Sequence, residues 1–194
     1  MNLYVVRHGQ TDWNIQNRIQ GSTDVELNST GINQAKQTAE LLKNIDFEVI
    51  YSSPLKRTID TAKIINEYHN IDIIKDNRII ERNFGNFEGT QNVLTDISDY
   101  LDFKKNISTN NVENIKDLFE RIEIFLSDLY NKYKNTDYNI LIVTHGGVSI
   151  AITAIINNTQ NNLASLGMKN CEVKVFENFK LNKGELLWMI LNLP

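Results

Sequence analysis

Short apolar runs alternate with longer amphipathic stretches along this chain, and that alternation dictates most of the reading. LYVV (3 to 6) is a β-branched run that stops at Arg7-His8-Gly9, and ILIV (140 to 143) is a second that stops at Thr144-His145-Gly146-Gly147. Both have the length and composition of buried strands ending in polar loops. After Asn28-Ser29-Thr30, Ile32, Ala35, Ala39 and Leu42 recur at helical spacing, and short polar side chains of that kind suit a helix start. FEVIYSS (47 to 53) reads as a third strand. Pro54 at its end can open a helix that buries Leu55, Ile59, Ala62 and Ile65 and carries Arg57 in its first turn. IDIIK (71 to 75) is a further strand, followed by a loop from Arg78 to Gly89 that holds Glu81. From Val112, the positions Ile115, Leu118, Ile122, Phe125, Leu129 and Tyr133 describe a long helix with one wet face. VSIAITAII then predicts a buried helix, and CEVKVF (171 to 176) and ELLWMILNL (185 to 193) predict closing strands.

Strands that alternate with helices predict an α/β fold: three αβα layers around a mostly parallel central sheet covered on both faces. At 194 residues, with no linker or internal repeat, the chain predicts a single domain over 1–194. In such sheets ligands bind beyond the carboxyl ends of the strands. Arg7-His8, Arg57, Glu81 and His145 all fall at or just past a predicted strand end, so they converge on one rim.

Composition narrows the chemistry. A formal charge of -4 argues against a general nucleic-acid or anionic-membrane binder, whose footprint is a basic surplus. The first residues reach Arg7 after only a few apolar positions, too few for a signal peptide or membrane span. One cysteine, Cys171, makes no intramolecular disulfide and no cysteine metal site, which fits a reducing, cytoplasmic setting. Two Arg and two His with one carboxylic acid and no acidic cluster suit a dianionic phosphate better than a metal, so no metal or other cofactor is expected. Arg7 and Arg57 are the expected phosphate clamps, because a guanidinium is always charged and forks onto phosphate oxygens. His8, on the end of a central strand, is the expected nucleophile, with its second ring nitrogen donating to a backbone carbonyl near Gly9. His145, followed by glycines whose amides can approach an anion closely, is expected to hydrogen-bond an equatorial phosphate oxygen, with Gly146 beside it. Glu81 is the carboxylic acid nearest the rim and the expected proton donor to a leaving alkoxide. Glu88, one loop away, is the alternative acid, though bracing the loop suits it better.

VVRHGQTDWN (5 to 14), RIQG (18 to 21), SSPLKRTIDTA (52 to 62), ERNFGNFEG (81 to 89) and THGG (144 to 147) resemble the histidine phosphatase superfamily, in its phosphoglycerate-mutase-like branch. The blocks run in the family's order. The resemblance implies a phosphoglycerate mutase-like fold and a phosphohistidine on His8, with Arg7, Arg57 and His145 as the phosphate pocket and Glu81 as proton donor. It adds Asn14 as a phosphate contact and Thr11, Gln20 and Gly21 as pocket lining. It also makes residues 90–138 an inserted helical cap, in which Lys104 and Lys105 could touch the far end of a substrate. Asp24-Val-Glu26-Leu-Asn28 departs from the family's usual Asp-x-Pro-Leu-Thr at a helix start, away from the catalytic positions.

The expected activity is hydrolysis of a small phosphomonoester. A mutase-type isomerase uses the same pocket and is the alternative; by the resemblance its cap is longer than the segment here. An inactive phosphate-binding protein is the third reading. Sugar phosphates, phosphoglycerate, phosphoserine, ribazole phosphate and nucleotides all stand as candidate substrates, and a homodimer is left open.

Overall fold

The computed structural model describes residues 1–91, 102, 105–159 and 163–181. Five strands form one sheet in the order β3-β2-β4-β1-β5, with β1 spanning Asn2–Arg7, β2 Phe47–Ser52, β3 Ile73–Lys75, β4 Asn139–Thr144 and β5 Val173–Phe176. β1, β2, β3 and β4 run parallel, and β5 closes the β1 edge antiparallel. The closing strand expected at 185–193 lies outside the described residues.

The three inner strands are apolar on both faces, and the pleat divides their side chains between two cores. Leu3, Val5, Val49, Tyr51, Ile140 and Ile142 face helices α4 (Ile115–Tyr133) and α5 (Gly146–Ile156). Val6, Ile50, Leu141 and Val143 face α2 (Ser29–Leu42) and α3 (Lys56–Asn66). Three layers result, as the alternating pattern predicts. In α4, Leu118, Ile122, Phe125, Leu126 and Leu129 are buried in the main core. This helix is therefore a structural layer, although the sequence reading places it within the inserted cap. Of the cap segment, residues 92–101 with 103 and Lys104 lie outside the described residues.

Several boundaries shift for identifiable reasons. Ile32, expected on the buried face of α2, is 39% exposed, and Gly31 takes its place. A Cβ on Gly31 would stand 2.1 Å from the Gln10 carbonyl oxygen, and one on Gly9 2.5 Å from that of Gly31. Bare backbone at both positions lets the start of α2 press against the loop after β1, and this rotates the helix face. The helix after Pro54 begins at Lys56 because Leu55 is extended, and Asp24 caps it from a distant loop by accepting from the Lys56 amide at 2.7 Å. β5 begins at Val173 rather than 171. Cys171 has φ +57, and its amide donates to the Arg7 carbonyl at 2.9 Å, so residues 168–172 form a turn folded onto the end of β1.

Candidate active site

The sheet order explains the convergence. β2, β4 and β1 are neighbours and end level with one another: Arg7 pairs with Thr144 and Ser52 with Val143. The ladder continues one residue further, with the His8 amide donating to the Thr144 carbonyl at 2.9 Å and the Ser53 amide to the Val143 carbonyl at 3.1 Å. Three successive strand ends thus deliver His8, His145 and Ser53 to one rim, with the two imidazole centroids 5.3 Å apart.

Both rings are buried and their tautomers follow from their partners. His8 Nδ1 lies 2.7 Å from the Gly9 carbonyl oxygen, which can only accept. Nδ1 therefore carries the proton and Nε2 keeps its lone pair, as expected of a nucleophile. His145 Nδ1 accepts from Arg57 Nε at 3.2 Å, so its proton sits on Nε2, 2.7 Å from the Ser53 hydroxyl oxygen. Both His145 nitrogens are thus occupied by protein partners, and its N–H reaches a phosphate oxygen only by leaving Ser53. Burial, then the charges of Arg57 and Arg7, holds His8 well below the ordinary histidine range, against the opposing pull of the Gly9 hydrogen bond. His145 is lowered likewise, by burial first and then by Arg57. Both rings are neutral at pH 7.

Arg57 is wholly buried. Its guanidinium donates to the carbonyls of Gly21 and Thr23, each at 2.7 Å, as well as to His145. Arg7 donates to the Met168 carbonyl at 2.6 Å, and its Nε is buried with no partner. Among the described residues no carboxylate pairs with either arginine within 4.0 Å. Burial lowers both, Arg57 to about 10, which leaves them charged at neutral pH. Arg57 thus holds its charge in the interior on neutral hydrogen-bond partners, with Glu81 the main charge offsetting its burial, and a bound anion would offset that cost further.

Glu81 lies across the start of α5. One carboxylate oxygen accepts from the Gly147 amide at 3.2 Å and the other from the Arg82 amide at 2.9 Å. Gly146, the first residue of α5, lies against Arg7: a Cβ there would stand 3.6 Å from the guanidinium carbon. Asn14 belongs to the short helix α1 (Asp12–Ile15), where Thr11 and Asn14 form a reciprocal cap. The buried Thr11 is thereby committed to structure, and Asn14 Oδ1 also takes a 3.4 Å contact from Asn170, which leaves the Asn14 amide group to act as a donor. Gln20 is 9% exposed and its Oε1 has no partner, while Gly21 contributes its carbonyl to Arg57. Glu88 accepts from the amides and hydroxyls of Ser22 and Thr23 and so braces the loop at 22–23.

Sequence reasoning missed Ser53 and Asn170. Ser53 stands at a strand end inside a block already singled out, and its place on the rim was the available signal. Asn170 Nδ2 donates to the His8 carbonyl at 3.0 Å, and no periodicity could place a turn 162 residues away beside His8. Cys171 is a buried thiol pushed up to about 12 by burial. Among the described residues no group of three or more His, Cys, Asp or Glu is placed to hold a metal ion. Nor is any helix among them long and apolar enough to cross a membrane.

A wholly buried Arg57 and a partly buried Arg7 around two neutral histidines, on the carboxyl rim of a mostly parallel sheet, make a site whose chemistry suits an anion. Residues 3–189 match the family model for the histidine phosphatase superfamily (branch 1), and the chain belongs to that superfamily. It is 37% identical over 166 residues to a protein of Bacillus subtilis (strain 168) named "Uncharacterized phosphatase PhoE", covering 86% of this chain and 82% of that one. It is 29% identical over 197 residues to the "Probable phosphoglycerate mutase GpmB" of Escherichia coli O1:K1 / APEC, covering 97% and 88%. Among solved structures, a mycobacterial glucosyl-3-phosphoglycerate phosphatase in complex with VO3 superposes with a TM-score of 0.79 at 27% identity, over 90% of this chain and 91% of that one. The family and its phosphatase-named members support phosphatase activity, a hydrolase of the α/β, phosphoglycerate mutase-like type.

Proposed function

We propose that the protein is a metal-independent phosphomonoester hydrolase acting on a small phosphorylated metabolite through a phosphohistidine. The observation that carries this is that, among the described residues, neither arginine has a carboxylate within 4.0 Å, beside a neutral His8 whose Nε2 lone pair is fixed by the Gly9 hydrogen bond. In this reading Arg7 and Arg57 hold the phosphate dianion, with the Asn14 amide, Gly146, Gln20 and Gly21 lining the pocket. The His8 Nε2 lone pair attacks phosphorus, the ester P–O bond breaks, and the leaving alkoxide takes a proton from Glu81. His145 turns its N–H from Ser53 to an equatorial oxygen as charge develops there. Water then attacks phosphorus and passes a proton to Glu81, the P–N bond breaks, and inorganic phosphate leaves with His8 restored.

In this reading 1–194 is one domain, and by the resemblance its inserted segment is shorter in sequence than that of a mutase; an unsealed phosphoenzyme hydrolyses whatever acceptor was intended, which favours hydrolysis over return of the group to a second hydroxyl. The single buried thiol suits a cytoplasmic enzyme. The test is phosphate release from a panel of phosphomonoesters with EDTA present, wild type against His8→Ala. Release that resists EDTA and vanishes in His8→Ala is expected. Release that survives in His8→Ala removes His8 as nucleophile, and loss with EDTA removes metal independence.

A further inference from the structure

Glu88 is the most heavily hydrogen-bonded carboxylate near the site, yet the chemistry above does not use it. Its Oε1 accepts from the Ser22 amide at 2.9 Å, the Ser22 hydroxyl at 3.0 Å and the Phe84 amide at 3.0 Å. Its Oε2 accepts from the Thr23 amide at 3.0 Å and from the Thr23 hydroxyl. The carboxylate's lone pairs are taken up by fixed donors, so it has no capacity to serve as a proton donor to a leaving group. A Cβ on Gly21 would lie 2.1 Å from Oε1, so the loop is drawn onto the carboxylate at that glycine too.

The bracing has a direction. The residues on either side of Ser22 are the ones whose carbonyls orient Arg57: Gly21 accepts from one terminal nitrogen and Thr23 from the other. Those two bonds, with Nε on His145, set the plane of the guanidinium. Glu88 fixes the Ser22 and Thr23 amides, the amides fix the flanking carbonyls, and the carbonyls fix the guanidinium read above as a phosphate clamp. We propose that Glu88 is a positioning residue that sets the orientation of Arg57, and so tunes phosphate affinity from across the 21–23 loop. This rests on the reading of Arg57 as a phosphate clamp.

Glu88→Gln keeps the shape but sets an NH2 group against donors on one side, which releases part of the loop. The experiment measures inorganic phosphate binding by calorimetry in wild type, Glu88→Gln, Arg57→Ala and the double variant, with melting temperatures and the rate ratio between alkyl and aryl phosphates. Glu88→Gln is expected to weaken phosphate about tenfold, since small misplacements of binding groups carry costs of that order, with the alkyl-to-aryl ratio unchanged. In the Arg57→Ala background it is expected to add nothing. Thr23→Val, which removes one hydroxyl donor, gives a smaller loss in the same direction and serves if Glu88→Gln does not fold. A lowered melting temperature with wild-type phosphate affinity, or a selective loss on alkyl esters, overturns the proposal. If Arg57→Ala itself leaves phosphate affinity unchanged, the clamp reading has failed and takes this inference with it, an outcome distinct from the others.

Discussion

His8 and His145 owe their chemistry to what surrounds them rather than to what they are. An exposed histidine takes up a proton near pH 6.5, but these two are sealed beside two guanidinium groups and stay neutral far below that. The consequence for stability has a definite sign. As pH falls below about 6.5 the unfolded chain gains protons on these residues and the folded one does not, so stability rises with pH up to about 6.5 and is lost below it, by up to about 1.4 kcal/mol per pH unit for each ring. Urea unfolding between pH 5.5 and 7 should show this slope in wild type and a shallower one in His8→Ala. Equal slopes would mean that His8 is protonated in the folded state.

At the scale of elements, α5 does two jobs. Its apolar residues fill one core, and its first residues, Gly146 and Gly147, meet Arg7 and Glu81. A Cβ on Gly147 would lie 2.7 Å from Glu81 Oε1, the tip of a side chain that can move aside. Gly147→Ala should therefore displace the proposed acid without disturbing the helix. Turnover of alkyl phosphates is expected to fall roughly tenfold and that of aryl phosphates much less, a milder copy of Glu81→Gln, for which the alkyl loss should reach about 10² to 10⁴. Matched losses on both ester classes in Glu81→Gln would place the acid elsewhere.

At the scale of the whole molecule, the sheet brings Arg57 and Arg7 together at its rim with no carboxylate within 4.0 Å of either among the described residues. An anion bound there, as proposed, would add a direct partner to both, so its binding should stabilise the folded state generally. Inorganic phosphate at about a hundred times its dissociation constant is expected to add about 2.7 kcal/mol, or roughly 5 to 10 °C in Tm for a chain of this size. Arg57→Ala should abolish most of that shift in a thermal scan. A full shift in the variant would put the anion somewhere other than this rim.

The pattern of apolar runs was enough to determine the layered α/β architecture, because strands buried on both faces and amphipathic helices leave few other ways to bury themselves. Arg7, His8 and His145 were legible for a related reason: each lies at or next to the end of β1 or β4, and strand ends of a parallel sheet share a rim; Arg57, in the first turn of α3, and Glu81, past the turn at Asn77–Ile79, follow β2 and β3 onto the same side. Ile32 and Gly31 show where local pattern misleads, since the close approach of α2 to the Gly9–Gln10 backbone turned the helix face. Only the tertiary structure decided the pairing of β4 between β1 and β2, the turn at 168–172 that holds the His8 carbonyl, the Ser53 partner of His145, and the hydrogen bonds of Glu88 to the loop around Arg57. Those depend on groups far apart in the chain and on the direction of individual hydrogen bonds, neither of which is encoded in periodicity.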